Sequence, residues 1–273
     1  MSIKVLRSAV ATIVLLYIQS GFAYEIETHA GLSRAAANAS ILKDTSSTGV
    51  LKSMGLNYPI SENINQIFPN TKTGERKSIL ELIADGASFE DDNVRSLNHF
   101  FDPVWAQALR PYGVPIPGNS TSPDWALEDI KDNDKQDFSY KDARYYLYRA
   151  LTATTEEDRN KYFGLTFQSL GQVIHHPQDM AQPQHVRNDT HIMAGEDCTW
   201  YQKPFIKLVE NPSLYEQYTR TLGNLPIGKY PQVRFDSARR YWHTEDKNPG
   251  SGQGIAEFTN SNLVLSDSPR SPA

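Results

Sequence analysis

One 22-residue stretch constrains this chain more than any other part of its sequence. The segment from Leu170 to His191, LGQVIHHPQDMAQPQHVRNDTH, contains four of the seven histidines and two aspartates. His175 precedes Asp179 by four residues, so on a helix the two side chains project from one face and can share a cation. Neutral imidazole and carboxylate are groups that bind a borderline metal such as Zn²⁺. The segment therefore predicts a metal site near the end of a helix.

Pro177 leaves two alternatives for the local geometry. A proline inside a helix removes a backbone hydrogen bond at a cost of about 3 kcal/mol, and it biases His176 away from helical geometry. Either the helix bends and coordination holds His175 and Asp179 together, or the helix ends near His176 and the pairing is lost. We favour the bend. An HxxxD pair alone is common on solvated helix faces, but the longer pattern HxxxDxxxPxH, which ends at His185, is more specific.

This pattern resembles the core motif of the zinc-dependent phospholipase C and single-strand nuclease superfamily. The resemblance implies a mostly helical fold that carries three zinc ions. It also implies that Asp179 bridges two metals, that His175 binds one of them, and that His185 helps to bind a third. We therefore expect an all-α, multi-helical phospholipase C/nuclease-like domain with a metal cluster in a cleft.

The N-terminus predicts export. Basic residues precede an apolar run from Ala9 to Ile18, and small residues follow up to Ala23, as is typical of a secretory signal peptide. The run is short for a transmembrane span, which makes an uncleaved anchor the weaker alternative. We expect residues 1–23 to be the signal peptide, residues 24–273 to form one domain with a disordered end, and the protein to be secreted or periplasmic.

Charge and cysteine content restrict the partners of the chain. Removal of Lys4 and Arg7 with the signal peptide changes the formal net charge from −5 to −7. This acidic balance gives no sign of a basic groove along a nucleic-acid backbone. Cys198 is the only cysteine, so the chain cannot form an internal disulfide. The core and bound metal must provide the stability.

The predicted mature chain begins at Tyr24, and His29 follows five residues later. The resemblance implies that the free amino group and carbonyl of the first residue bind one zinc together with this histidine. Tryptophan is typical at that first position, but the ligating atoms belong to the backbone, so tyrosine can keep the role. As an alternative, His29 is an ordinary polar residue at the start of an amphipathic helix.

A second group of ligands follows the predicted helix from Ser78 to Ala87. The resemblance implies that an aspartate after an aromatic residue and a histidine in an HFxDP context bind the metal pair. Asp91 and His99 are the matches in the segment SFEDDNVRSLNHFFDPV. Asp92 and Glu90 stay open as alternatives to Asp91, because the short spacing to the histidine fits more than one register.

The third zinc site departs from the family pattern. The resemblance implies a histidine and a carboxylate in an HxxYE context, where this chain reads CTWYQKPF. Aligned on the tyrosine, Cys198 replaces the histidine and Gln202 replaces the carboxylate. A thiolate binds zinc, but a neutral amide is a poor ligand. His191 and Glu196 are alternative ligands, and we expect two zinc ions with an incomplete third site.

Two helices are predicted ahead of the metal segment. The first has Ser139 and Asp142 at its N-cap, and its apolar face comprises Ala143, Leu147, Ala150 and Leu151. The second begins with Thr154 and Glu157 as a capping box, and its core-facing stripe comprises Phe163, Phe167, Leu170 and Ile174. Near the C-terminus, we expect His243 to be structural.

The resemblance also implies a reaction. Two zinc ions bridged by a carboxylate lower the pKa of a shared water and stabilise charge on a phosphoryl oxygen. Asp91 would orient the attacking water or take its proton. The expected substrate is a phosphodiester, either phospholipid or nucleotide.

Three hypotheses follow: a phospholipase C-like hydrolase with transient membrane-surface contact, a single-strand nuclease, and a non-catalytic zinc-binding descendant. The sequence does not decide between the two substrates, because loops set that choice.

Overall fold

The computed structural model describes residues 26–44, 46–56, 67–110, 113–127, 136–188, 238–243 and 254–263. The predicted signal peptide and the predicted disordered end lie outside these ranges. Within them, no helix is both long enough and apolar enough to cross a membrane.

The described chain is mostly helical, as the sequence predicts. The α-helices in these ranges are α1 Ile26–Ala39, α2 Val50–Ser53, α3 Ile79–Phe89, α4 Ser122–Leu127, α5 Tyr140–Thr152, α6 Glu156–Asp179 and α7 Ile255–Asn262. Short 3₁₀ helices cover Ile41–Lys43, Asn93–Asn98 and Ala238–Tyr241. Strands β1 Phe68–Pro69 and β2 Arg76–Lys77 form a small antiparallel pair in which Phe68 faces Lys77.

The caps of α5 and α6 show what local sequence can and cannot fix. At α5 the predicted cap is confirmed: the Ser139 hydroxyl accepts from the Asp142 N–H, and the Asp142 carboxylate accepts from the Ser139 N–H. At α6 the predicted cap is wrong by one residue. The hydroxyl of Thr155, not that of Thr154, accepts a hydrogen bond from the backbone N–H of Asp158. The same hydroxyl donates to the side-chain carboxylate of Asp158 at 2.8 Å. This reciprocal pair decides between the two adjacent threonines.

The main core lies between α3, α5 and α6. Phe163 and Phe167 of α6 are buried against Phe68, and Leu170 and Ile174 pack against the same cluster, so the predicted stripe of α6 is confirmed. The predicted apolar face of α5 needs one correction. Ala143 and Ala150 are buried, but Leu151 is 54 % exposed, because it is turned about 100° around the helix from Ala150 toward solvent.

Helices α3 and α6 touch through their backbones. A Cβ atom added to Gly86 of α3 would lie 2.1 Å from the carbonyl oxygen of Gln168, and one added to Gly171 of α6 would lie 2.1 Å from the carbonyl oxygen of Ile83. Any larger residue at either position would force the helices apart. The last turns of both helices are therefore held close together, and it is there that the predicted ligands lie.

Candidate metal centre

Six of the predicted ligands come together in one buried cluster. Each has a relative exposure of at most 1 %. They come from the first turns of α1, from the segment after α3, from the end of α6 and from the turns that follow it: His29, Asp91, His99, His175, Asp179 and His185. We call these six side chains the histidine–aspartate cluster.

The end of α6 decides between the alternatives that Pro177 left open. The helix continues through the proline to Asp179, so His175 and Asp179 lie one turn apart. His175 Nε2 is 3.0 Å from Asp179 Oδ2. The alternative in which the helix ends near His176 is wrong.

The two carboxylate oxygens of Asp179 face different histidines. Oδ1 lies 3.3 Å from His29 Nε2. Oδ2 lies 3.0 Å from both His99 Nδ1 and His175 Nε2, and 3.6 Å from His185 Nδ1. This division is the arrangement that a carboxylate needs to share one oxygen with each of two cations.

Hydrogen bonds on the far side of two rings fix which nitrogen faces Asp179. His175 Nδ1 lies 2.7 Å from the carbonyl oxygen of Ala87, which can only accept, so Nδ1 carries the hydrogen. His29 Nδ1 lies 2.7 Å from Gln178 Oε1, and the amide nitrogen of Gln178 donates to Ser33. In the neutral rings, Nε2 of both histidines therefore presents a lone pair toward Asp179.

These lone pairs face a carboxylate, and two acceptors so close repel each other unless a cation lies between them. Among the described residues, neither oxygen of Asp179 accepts a hydrogen bond of acceptable geometry, although imidazole nitrogens lie 3.0 to 3.6 Å away. A buried charged group without such compensation is costly. The donor set, imidazole nitrogen with carboxylate oxygen, is one that zinc accepts.

The directions of three pKa shifts suit metal binding. Burial alone would raise the pKa of Asp179, but His175, His185 and His99 bring it well below its ordinary value. Burial lowers the pKa of His29, and so does the nearby His175, whose ring stacks on it at a centroid distance of 3.8 Å. Burial also lowers the pKa of His99. An ionised aspartate beside neutral imidazoles is the state in which these groups bind a metal.

The structure separates the three adjacent carboxylates that the sequence left open. Asp91 is fully buried, and its Oδ1 lies 3.5 Å from His99 Nδ1 and 3.5 Å from His175 Nε2. Asp92 instead forms an ion pair with Lys72 nearer the surface. Asp91 is therefore the carboxylate of this segment that belongs to the cluster.

A second buried group, Glu90 with His176, adjoins the cluster. The sequence left Glu90 open as an alternative to Asp91 but did not predict this pairing. Glu90 Oε1 lies 3.2 Å from His176 Nε2 and 3.9 Å from His99 Nε2. It also accepts a hydrogen bond from the Trp125 indole at 2.7 Å. Burial alone would raise the pKa of Glu90, but Arg95, His176 and His99 lower it. His176 follows His175 directly in the motif, but helical geometry turns it toward Glu90 instead of Asp179.

Three sets of side chains could each hold a metal ion, with candidate ligand atoms within 4.8 Å of one another: His29, Asp91 and His175; His99, His175 and Asp179; and Glu90, His99 and His176. These donor sets are compatible with metal binding, and they do not identify which metal would bind. Comparisons with protein-family models, curated proteins and solved structures find no match.

The remaining predicted ligands divide into two groups. His185 is placed by its backbone and its ring: its carbonyl accepts from the Phe101 N–H at 2.9 Å, and its imidazole stacks on Phe100 at 4.4 Å. Five predicted residues lie outside the described ranges: Tyr24, His191, Glu196, Cys198 and Gln202. The N-terminal ligand and the third zinc site therefore stay predictions. His243 contacts the ring of Phe101 at a centroid distance of 5.1 Å.

Proposed function

We propose that this chain is a secreted, zinc-dependent phosphodiester hydrolase with a phospholipase C/nuclease-like helical fold. The observation that carries the proposal is the position of Asp179, whose two oxygens face His29 on one side and His99 with His175 on the other. That arrangement supports a carboxylate bridging two zinc ions. The lone pairs of His29 and His175, which point at the same carboxylate, support it further.

The side chains divide into two ligand sets around that bridge. His29, Asp179 and the backbone of Tyr24 would hold one zinc. Asp91, His99, His175 and Asp179 would hold its neighbour, and His185 would contribute to a third. Bound zinc would supply a water of lowered pKa and stabilise charge on the phosphoryl oxygen. Asp91 would orient that water or take its proton.

A second candidate is a non-catalytic zinc-binding protein of the same fold. The burial of the whole cluster favours it, because a phosphodiester must reach the metal-bound water and each of the six side chains is at most 1 % exposed. Cys198 and Gln202, which replace two expected ligands of the third zinc, favour it too. We infer an enzyme first because the dinuclear ligand set is the part that water activation requires.

Metal content and turnover, measured on the same preparation, test the proposal. The exported protein is purified with its N-terminus verified as Tyr24, and zinc per chain is measured by mass spectrometry. Hydrolysis is assayed on phosphatidylcholine vesicles and on single-stranded DNA, which separates the lipase and nuclease hypotheses. Two zinc ions per chain with hydrolysis of either substrate would support the proposal.

Asp179→Asn is the test variant, and Asp124→Asn is the control, because Asp124 pairs with Arg239 outside the cluster. We expect the first to lose zinc and turnover and the second to keep both. Zinc without turnover on either substrate would favour the non-catalytic candidate. The absence of zinc from correctly processed protein would overturn both.

A further inference from the structure

We propose that Glu90 is a positioning residue for the metal ligand His99, acting through the edge of the imidazole that points away from the cluster. The proposal rests on the proposed metal centre and adds to it a residue outside the ligand set. Its role would be to hold the ring of His99 in orientation and to make its ligating nitrogen a stronger base.

The two nitrogens of His99 face different surroundings. Nδ1 faces the cluster, at 3.0 Å from Asp179 Oδ2 and 3.1 Å from His175 Nε2. A metal bound there takes the lone pair of Nδ1, so in the neutral ring the hydrogen is on Nε2. Among the described residues, this buried Nε2 makes no hydrogen bond, and the carboxylate that faces it is Glu90, with Oε1 at 3.9 Å.

Glu90 is held rigidly in that position. Its side chain is 1 % exposed, and Oε2 accepts from Arg95 Nη2 at 2.7 Å and from Arg95 Nε at 3.0 Å. Arg95 Nη2 also donates to Gln136 at 2.8 Å, and the amide of Gln136 donates to the carbonyl of Trp125 at 2.6 Å. The carboxylate is therefore fixed from behind, and Oε1 is directed toward the histidines.

A chain of hydrogen bonds from Trp242 keeps His176 as a donor to Oε1 of Glu90. The Trp242 indole can only donate, and it donates to the Ser122 hydroxyl at 2.9 Å. The arrangement that satisfies every group has Ser122 donating to His176 Nδ1 at 3.1 Å and His176 Nε2 donating to Glu90 Oε1 at 3.2 Å. His176 therefore anchors Glu90 without competing for the metal that His99 binds.

This arrangement matches a general feature of metal sites, in which a ligating histidine donates its other N–H to a carboxylate. Loss of such a partner lowers metal affinity by about 10- to 100-fold. On metal binding, we expect the distance between His99 Nε2 and Glu90 Oε1 to shorten from 3.9 Å to hydrogen-bond length.

Zinc affinity of Glu90→Gln, measured by competition with a chromophoric chelator, tests the proposal. The visible spectrum of the Co²⁺-substituted protein reports ligand geometry independently of turnover. We expect affinity to fall by about 10- to 100-fold with unchanged metal stoichiometry and an altered Co²⁺ spectrum. Asp124→Asn is the matched control. It is the same kind of carboxylate-to-amide change, in a residue that pairs with Arg239 outside the cluster, so it should leave zinc affinity and the spectrum unchanged.

Glu90→Gln leaves the charge of Arg95 uncompensated, which can itself destabilise the fold. The double variant Glu90→Gln/Arg95→Met removes both charges, and it carries the test if the single variant is unfolded by circular dichroism. Wild-type affinity in a folded variant would overturn the proposal. Loss of one whole equivalent of metal would also overturn it, because Glu90 would then be a ligand. A wild-type protein without zinc would overturn the metal centre itself, and with it this inference.

Discussion

His175 and Asp179 lie one helical turn apart with Nε2 of the histidine 3.0 Å from Oδ2 of the aspartate, although Pro177 stands between them. The proline lies in the last turn of α6, so the backbone hydrogen bond that it removes is one of the last in the helix. The pairing of His175 with Asp179 therefore depends on how firmly the end of α6 is held against its neighbours. The contact of α6 with α3 supplies that support, and it can be tested.

We expect Gly171→Ala to weaken metal binding as well as stability. Its Cβ would lie 2.1 Å from the carbonyl of Ile83, so α3 and α6 must separate. Overpacking of this kind costs about 1 to 3 kcal/mol. The separation would also disturb the hydrogen bond from His175 Nδ1 to Ala87, which orients the ligand. Urea unfolding and zinc competition measure the two effects.

Gly164→Ala is the matched control for this substitution. Its Cβ would lie 2.3 Å from the carbonyl of Pro69, so it disturbs a contact nearer the start of the same helix. We expect a comparable loss of stability with unchanged zinc affinity. Equal loss of zinc affinity in both glycine variants would mean that general destabilisation, not the local helix contact, weakens the site.

Asp91→Asn should lower zinc affinity much more than Asp92→Asn. Asp91 is buried with Oδ1 3.5 Å from two histidine nitrogens, whereas Asp92 pairs with Lys72. The amide removes the negative charge that a zinc ligand supplies at Asp91, but at Asp92 it removes only an ion pair near the surface, worth about 0 to 1 kcal/mol. Chelator competition on both variants distinguishes them, and similar affinities would place the ligand elsewhere.

His29→Ala should remove one of two zinc ions. Its Nε2 faces Oδ1 of Asp179, while His99 and His175 face Oδ2. The second ligand set therefore stays complete when His29 is lost. Mass spectrometry of the metal-loaded protein should give one zinc per chain fewer than wild type, while His175→Ala should impair the site at Oδ2. Unchanged stoichiometry in His29→Ala would contradict the bridging arrangement.

The sequence placed four residues of the histidine–aspartate cluster only through its resemblance to a known family. It predicted His175 and Asp179 from a local signal as well, because they share a helical turn of α6, whose apolar stripe has a clear period. It could not choose between Glu90, Asp91 and Asp92, because the chain leaves α3 at Phe89 and only the turn decides where each carboxylate points. The pairing of Glu90 with His176 joins residues 86 positions apart, and no local pattern encodes such a contact.

Acid should destabilise the metal-free protein, starting below about pH 6.5. Burial lowers the pKa of His29, His99 and His176 from the ordinary 6.5, so below that pH the unfolded chain binds more protons than the folded one. Their contribution to stability is therefore fully present above pH 6.5 and is lost as the pH falls. The lowered pKa values of Glu90 and Asp179 act in the same direction at still lower pH.

Urea unfolding of chelator-treated protein between pH 8 and pH 4 measures this dependence, and the same series with saturating zinc provides the comparison. Bound zinc competes with protons for the same nitrogens and oxygens, so the loss of stability should begin at a lower pH when zinc is present. A free energy of unfolding that stays constant from pH 7.5 to pH 5.5 in the metal-free protein would show that these histidines titrate alike in the folded and unfolded chain. In that case they would not be buried as neutral rings.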